Sequence, residues 1–188
     1  MSTGGTYSAN QGASVVLSAD GNTLAVGAPN NVFGSGSTWV FTRTGGVWTQ
    51  QSPALYGATS SGKPKQGTGV SLSADGNTLA IGGWFDDATT GTTWLFSRVG
   101  STWTQQGGKL LGTGAAGRPG QGVGLALSGD GLTLAVGGHF DNTSIGACWV
   151  YSGALGPLTL PPPPNAIFSI NSRDCHLNLY PNPASSQI

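Results

Sequence analysis

One eighteen-residue pattern occurs three times in this chain, and that repetition limits its fold more than any other feature. Residues 66–83 read QGTGVSLSADGNTLAIGG, residues 11–28 read QGASVVLSADGNTLAVGA, and residues 121–138 read QGVGLALSGDGLTLAVGG. Asp20, Asp75 and Asp130 fall at one spacing of 55 residues, and Trp39, Trp94 and Trp149 keep the same register. Three copies without insertion or deletion indicate one supersecondary unit, repeated.

Each unit reads as four antiparallel strands. In the first strand, Val15 and Leu17 alternate with smaller or polar neighbours, as do Val70 with Leu72 and Leu125 with Leu127. Asp-Gly follows at 20–21, 75–76 and 130–131, a dipeptide that favours a two-residue type I′ hairpin. The second strand places Leu24 and Val26 on one face, and Ala25 and Gly27 on the face where neighbouring sheets converge. After a loop of about eight residues comes a third strand, Trp39-Val40-Phe41 or its equivalents, large on both faces as packing between two sheets requires. A Gly-rich turn then leads to a fourth strand carrying Trp48 or Trp103. No segment has helical periodicity. The expected units span about 12–57, 67–112 and 122–160, all within a repeat region of residues 1–160. A three-repeat β-trefoil is the rival arrangement.

The third copy changes after Ser152. Leu158 replaces the tryptophan of the fourth strand, and Pro161 to Pro164 interrupt any ladder because proline has no N–H to donate. Residues 161–188 therefore read as a polyproline II spacer and an extended tail, in which residues 166–170 and 177–179 are apolar enough to add to a sheet edge.

Composition removes several function classes. Gly supplies 33 residues, charged residues make up 7%, and there is no Glu. Regular apolar alternation and six Trp still argue for a packed β protein. Seven basic and seven acidic residues cancel, so no basic patch points to nucleic acid. No apolar run reaches the ~20 residues of a membrane-spanning helix, and MSTGGTYSAN has no apolar signal-peptide core. Cys148 and Cys175 fit no metal spacing and are enough for one disulfide in an oxidising compartment.

The unit QGxSVxLSADGNTLAVGAP…GSTWVFTRxGxxWTQQ resembles the FG-GAP-like repeats of bacterial surface and secreted proteins, distant relatives of the integrin α-subunit repeats. Gly27-Ala28-Pro29 keeps the GAP end, and Gln11-Gly12 stands where Phe-Gly is usual. The resemblance covers residues 11–152 and implies four-stranded β-propeller blades, here three blades of an incomplete propeller. In the tail, Leu177-Asn178-Leu179-Tyr180-Pro181-Asn182-Pro183-Ala184 resembles the opening of the C-terminal sorting domain of the type IX secretion system. That likeness implies export to the cell surface or the medium. The expectation is a chain incomplete at both ends, or trimmed after export.

The copies differ most in the loop after the second strand: Pro29-Asn30-Asn31, Trp84-Phe85-Asp86 and His139-Phe140-Asp141. In a four-stranded unit this loop and the linker between units emerge at one end, so Trp84, Phe85, Asp86, His139, Phe140 and Asp141 share a rim with Lys63, Lys65 and Arg118. Aromatic faces beside carboxylates suit glycan or peptide recognition; packing between units is the plainer role for Trp84, Phe85 and Phe140. Trp39, Trp94, Trp149, Trp48 and Trp103 are the expected structural core. Gly112 to Gly117 matches GxGxxG by letter, but Arg118-Pro119-Gly120 follows instead of a helix, which makes it a linker. Asp86, Asp87 and Asp141 are the only carboxylates arguable for paired-acid chemistry, and the sole histidines are His139 and His176.

The expected protein is a non-enzymatic, extracellular or cell-surface module with a structural or adhesive role, assembling with copies of itself through sheet edges and tail. It needs no cofactor. The alternative is a module that binds a glycan or peptide through the second-strand loops; an accessory domain of a secreted enzyme ranks below both.

Many integrin-type repeats bind Ca²⁺ in an Asp-x-Asp-x-Asp-Gly loop between two strands. Here that loop holds one carboxylate, against the roughly six to eight oxygen ligands Ca²⁺ takes. The Asp20, Asp75 and Asp130 turns are therefore expected to hold no metal. Thermal unfolding should be unchanged by EDTA; a lower melting temperature in chelator would reveal a bound ion that stabilises the fold by mass action.

Overall fold

The computed structural model of the protein describes residues 5–153, 166–171 and 176–177. The alternation within each copy produces a separate antiparallel meander. The first sheet runs β1 (Ser14–Leu17), β2 (Thr23–Ala28), β3 (Ser37–Thr44) and β4 (Val47–Gln50) in that order. The second runs β5 (Gly69–Leu72), β6 (Thr78–Gly83), β7 (Thr92–Val99) and β8 (Thr102–Leu110). The third runs β9 (Gly124–Leu127), β10 (Thr133–Gly138), β11 (Ala147–Ser152), β12 (Ala166–Asn171) and β13 (His176–Leu177). Among the described residues the fold is all-β, with three separate antiparallel sheets, which sets the trefoil aside. Two four-residue turns, Asn31–Gly34 and Asp141–Ser144, carry positive φ at their central residues and so continue into no helix.

The third sheet departs from the register of the other two. Its expected limit was residue 160, with a fourth strand near Thr159, which lies outside the described residues. The strand that pairs with β11 is β12, with Trp149 opposite Ser169 and Tyr151 opposite Ile167. Four prolines cannot build a ladder, and the β-prone AIFSI segment beyond them takes the place. This part of the tail folds back onto its own sheet. Cys175 and the residues after Leu177 also lie outside the described residues.

The Asp-Gly turns differ from the two-residue type I′ form. Gly21 N–H donates to Ser18 O (2.9 Å) and Ser18 N–H to Thr23 O (2.9 Å), so four residues separate the paired ends. Only the glycine has positive φ: Gly21 at 67°, Gly76 at 70° and Gly131 at 73°. The aspartate is there for its carboxylate. Asp20 accepts from the Ser18 hydroxyl (2.5 Å) and from Asn22 N–H (2.9 Å), and these hydrogen bonds hold its pKa down at about 2. Asp75 is shifted in the same direction, chiefly by Ser73, and Asp130 chiefly by Ser128.

The sheets stack through alternating faces. Val70, Leu72, Leu79, Ile81, Trp94 and Phe96 form one cluster with Ala25 and Val40 of the first sheet. Leu134, Val136, Trp149 and Tyr151 do the same with Ala80 and Leu95 of the second. Trp39, Trp94 and Trp149 are all buried, Trp39 beside the linker residue Ala9. Glycines allow the sheets to approach: a Cβ on Gly27 would lie 2.0 Å from Gly67 O, and one on Gly82 would lie 1.9 Å from Gly122 O.

At the Asp-Gly end a second set of bonds crosses between sheets. Ala19 N–H donates to Ala74 O, and Ala74 N–H to Gly129 O, each at 2.9 Å. Gln51 Oε1 accepts from both Arg98 (3.2 Å) and Trp103 (3.0 Å), and Arg98 lies over the Trp103 ring at 5.4 Å. Trp103 is buried by this arrangement. Trp48 is not core as expected: it is 39% exposed, covered on one face by Arg43 at 5.5 Å. Gln51 of the first sheet is what closes over Trp103, and among the described residues no such glutamine reaches Trp48.

Two glycine substitutions separate close approach from mere composition. Gly82→Ala must displace backbone and should lower stability by at least about 1–3 kcal/mol, the usual cost of overpacking. A methyl on Gly108, also on a strand but with nothing within 4 Å, meets open space. Gly108→Ala should be neutral or stabilising by up to about 1 kcal/mol. Urea midpoints of both variants check this.

Candidate functional site: the loop face between the second and third sheets

At one end of the stack, each second-strand loop meets the linker that enters its sheet. The meeting repeats with the sequence period. Phe85 N–H donates to Pro64 O (3.3 Å), Phe140 N–H to Pro119 O (3.2 Å), and Asn30 N–H to Ala9 O (3.1 Å). One side chain per loop then ties the linker down. Asp86 Oδ1 accepts from Ser61 N–H (2.5 Å), Asp141 Oδ1 from Ala116 N–H (2.7 Å), and Asn31 Oδ1 from Thr6 N–H (2.8 Å). All three are buried.

Asp86 and Asp141 therefore do not sit on the rim as solvated acids. Asp86 also holds Lys109 Nζ at 2.8 Å, and Asp87 takes the same ammonium on its exposed side. Burial works against the Lys109 charge, but the hydrogen bonds to the two carboxylates win and raise its pKa. The paired-acid arrangement has no open carboxylate pair here: Asp86 and Asp87 close on one lysine, and Asp141 closes on a linker amide.

The aromatic residues of the same loops lie at the rim, where Trp84 of the second unit meets Phe140 of the third. Trp84 is half-buried, and Phe85, His139 and Phe140 are exposed. They form one row. Phe85 stands edge-on to Trp84 with centroids 5.0 Å apart, Trp84 and Phe140 lie 6.0 Å apart, and His139 is 3.8 Å from Phe140. Trp84, Thr89, Ala116, Gly117, Arg118, Phe140, Asn142 and Thr143 line a cleft of 540 Å³.

Linker residues 6–8 and loop residues of the first sheet line a smaller cleft of 450 Å³, with Tyr7, Phe33 and Lys65. There Lys65 Nζ donates to Asn30 Oδ1 at 2.6 Å. The two clefts share a register but not a chemistry.

The loops hold their shape through left-handed backbone. Asp87, Ala88 and Thr89 have φ of 45°, 55° and 80°, and Asn142, Thr143 and Ser144 have 46°, 58° and 69°. Such runs are unfavourable for side-chain-bearing residues and persist where surrounding bonds over-determine them. Gly91 N–H to Asp86 O (3.0 Å) and Gly146 N–H to Asp141 O (3.0 Å) close each loop, while Gly120 N–H to Thr89 O and Asn142 N–H to Ala116 O, both 2.9 Å, anchor it to linkers. Thr89, Asn142 and Thr143 carry no motif. Nothing in their residue types announces a left-handed run, except that Asn tolerates it.

The Gln-Gly dipeptides that begin each copy also acquire a role. Gln66 Oε1 accepts from Gly57 N–H (2.6 Å) while its Nε2 donates to Gly57 O (2.9 Å), and Gln121 treats Gly112 identically at 2.7 and 3.1 Å. Gly112 thus belongs to a clasped linker, and no helix follows its GxGxxG.

Comparison with known proteins adds little here. No family model matches the chain, and no curated protein matches it. Among solved structures it is similar to TolB from Acinetobacter baumannii, at 9% identity and a TM-score of 0.41, over 76% of this chain and 31% of that one. A likeness this distant lends no residue role to this chain.

The linker tie predicts a graded response at Asp86. Asp86→Ala should cost about 1–3 kcal/mol, because the Ser61 N–H loses its acceptor in a buried site. Asp86→Asn keeps the acceptor, as Asn31 does in the first copy, and should cost less. Equal losses in chemical unfolding would show that the Lys109 ion pair, not the amide tie, carries the stability.

Proposed function

We propose that this chain is a non-enzymatic repeat module of β-propeller type, each sheet forming one blade, with a structural and adhesive role outside the cell or on its surface. In this reading it associates with further blades of the same kind through the open face of its first sheet. One observation carries it. Val15 and Leu17 are 61% and 54% exposed, whereas their equivalents Val70 and Leu72 are 8% and 6% exposed because the preceding sheet covers them. Among the described residues no sheet covers this face, and its half-exposed Trp48 adds to the apolar area.

The interface that would form is already present twice within the chain, so the required complementarity is a property of the repeat. Head-to-tail stacking of such faces closes a ring or runs on, according to the rotation between neighbours. The resemblance of the tail to a secretion sorting motif supports an extracellular setting. The non-enzymatic reading is supported by the bonded state of Asp86, Asp87 and Asp141 and by His139, which lies tilted against Phe140.

Sedimentation velocity over a wide concentration range tests the association. The full chain should self-associate, and Leu17→Lys should leave a folded monomer, because a charge at a half-exposed site blocks docking without emptying a core. A wild-type chain that stays monomeric throughout, or a variant that associates equally well, would rule this reading out.

A further inference from the structure

We propose that the cleft between the second and third sheets is a binding site for an acidic saccharide, with the sugar ring on Trp84 and Phe140 and its carboxylate on Arg118. The inference is independent of the association reading, since it concerns the loop face and not the open sheet face.

Three observations meet in this cleft. First, aromatic side chains line the cleft: Phe140 is 42% exposed, and Trp84, half-buried, lies tilted by 47° to it at 6.0 Å. The C–H face of a pyranose is an apolar surface with slightly positive hydrogens, which suits an aromatic face. Gly120 lies against these rings, where a Cβ would be 2.9 Å from Phe140 and 3.8 Å from Trp84.

Second, Arg118 brings a charge that no carboxylate neutralises among the described residues. Asp86 and Asp87 hold Lys109, and Asp141 holds the Ala116 amide. A guanidinium offers a planar pair of donors that matches a carboxylate. In the smaller cleft the lysine is already bonded to Asn30, and Ser8 stands in the register of Arg118.

Third, the cleft volume of 540 Å³ suits one or two sugar rings.

A neutral glycan would leave Arg118 unmatched, and a phosphate would leave the rings unmatched. A carboxylated sugar uses both.

The test is calorimetric titration of the full chain with an oligogalacturonate, beside a neutral galactose oligomer of equal length and an acidic peptide. The oligogalacturonate should bind saturably and more weakly as salt rises. Arg118→Ala and Phe140→Ala should each weaken it about tenfold or more, the loss of one charge-assisted or stacking contact. Lys65→Ala should leave it unchanged. Arg118 and Phe140 are not core, and unchanged near-ultraviolet circular dichroism would verify that the variants fold. No binding of the oligogalacturonate, equal binding of the neutral oligomer, preference for the acidic peptide, or affinity indifferent to Arg118→Ala and Phe140→Ala would each overturn the proposal.

Discussion

The structure depends on how closely one sheet can approach the next. Gly27 against Gly67, and Gly82 against Gly122, bring backbone onto backbone at distances where no side chain fits. Around that contact a fixed set of partners closes. A Cβ on Gly57 would lie 2.2 Å from the Trp94 ring, and Trp94 Nε1 donates to Ala58 O at 2.7 Å. Trp149 repeats both contacts with Gly112 and Thr113, its Nε1–O distance being 2.9 Å. The glutamine clasp then fixes the linker that carries those glycines. An amide side chain is needed because it both donates and accepts, as the strand it replaces would. The tryptophan contributes apolar area, and the glutamine satisfies the backbone buried beneath it.

The loop face follows from this lock. Once the linker is clasped at Gly57 or Gly112, its next residues are held against the second-strand loop, where a buried Asn or Asp accepts their amides. That support lets six loop residues keep left-handed backbone without glycine. The aromatic residues of the loops stay at the rim, while Trp94, Trp149 and the apolar strands fill the space between sheets. The stack is therefore uniform inside and varied at its rim. Loop residues that do not contribute to the lock are free to differ between copies, and they do: Pro29, Trp84 and His139 share one register.

The opposite end is built on different physics. There the Asp-Gly turns are joined through backbone bonds from Ala19 to Ala74 and from Ala74 to Gly129, and Arg98 bridges the first two sheets through Gln51 and Thr23. Burial lowers the Arg98 pKa while Asp75 and Asp20 oppose that shift, so the guanidinium sits in a polar network at the sheet junction. Tyr151 of the third sheet has no such network: burial pushes its pKa up, and its hydroxyl is without a partner among the described residues.

The sequence by itself determined the repeat, the all-β class, the strand order within each unit and the identity of the central tryptophans. These are legible because period-two alternation and a fixed 55-residue spacing are one-dimensional consequences of the packing they serve. It also marked the second-strand loops as the place where the copies part. Tertiary structure decided what each loop residue does. Asp86 and Asp141 read as rim acids but are buried, because the amides they serve lie 25 residues upstream at Ser61 and Ala116. Trp48 and Trp103 share a register, yet only Trp103 is buried, because the first sheet packs against it with Ala25, Val40 and Gln51. The fourth strand of the third sheet lies beyond the prolines, since pairing requires free backbone donors and not adherence to the repeat. In each case the deciding partner is distant in sequence, and no local pattern encodes it.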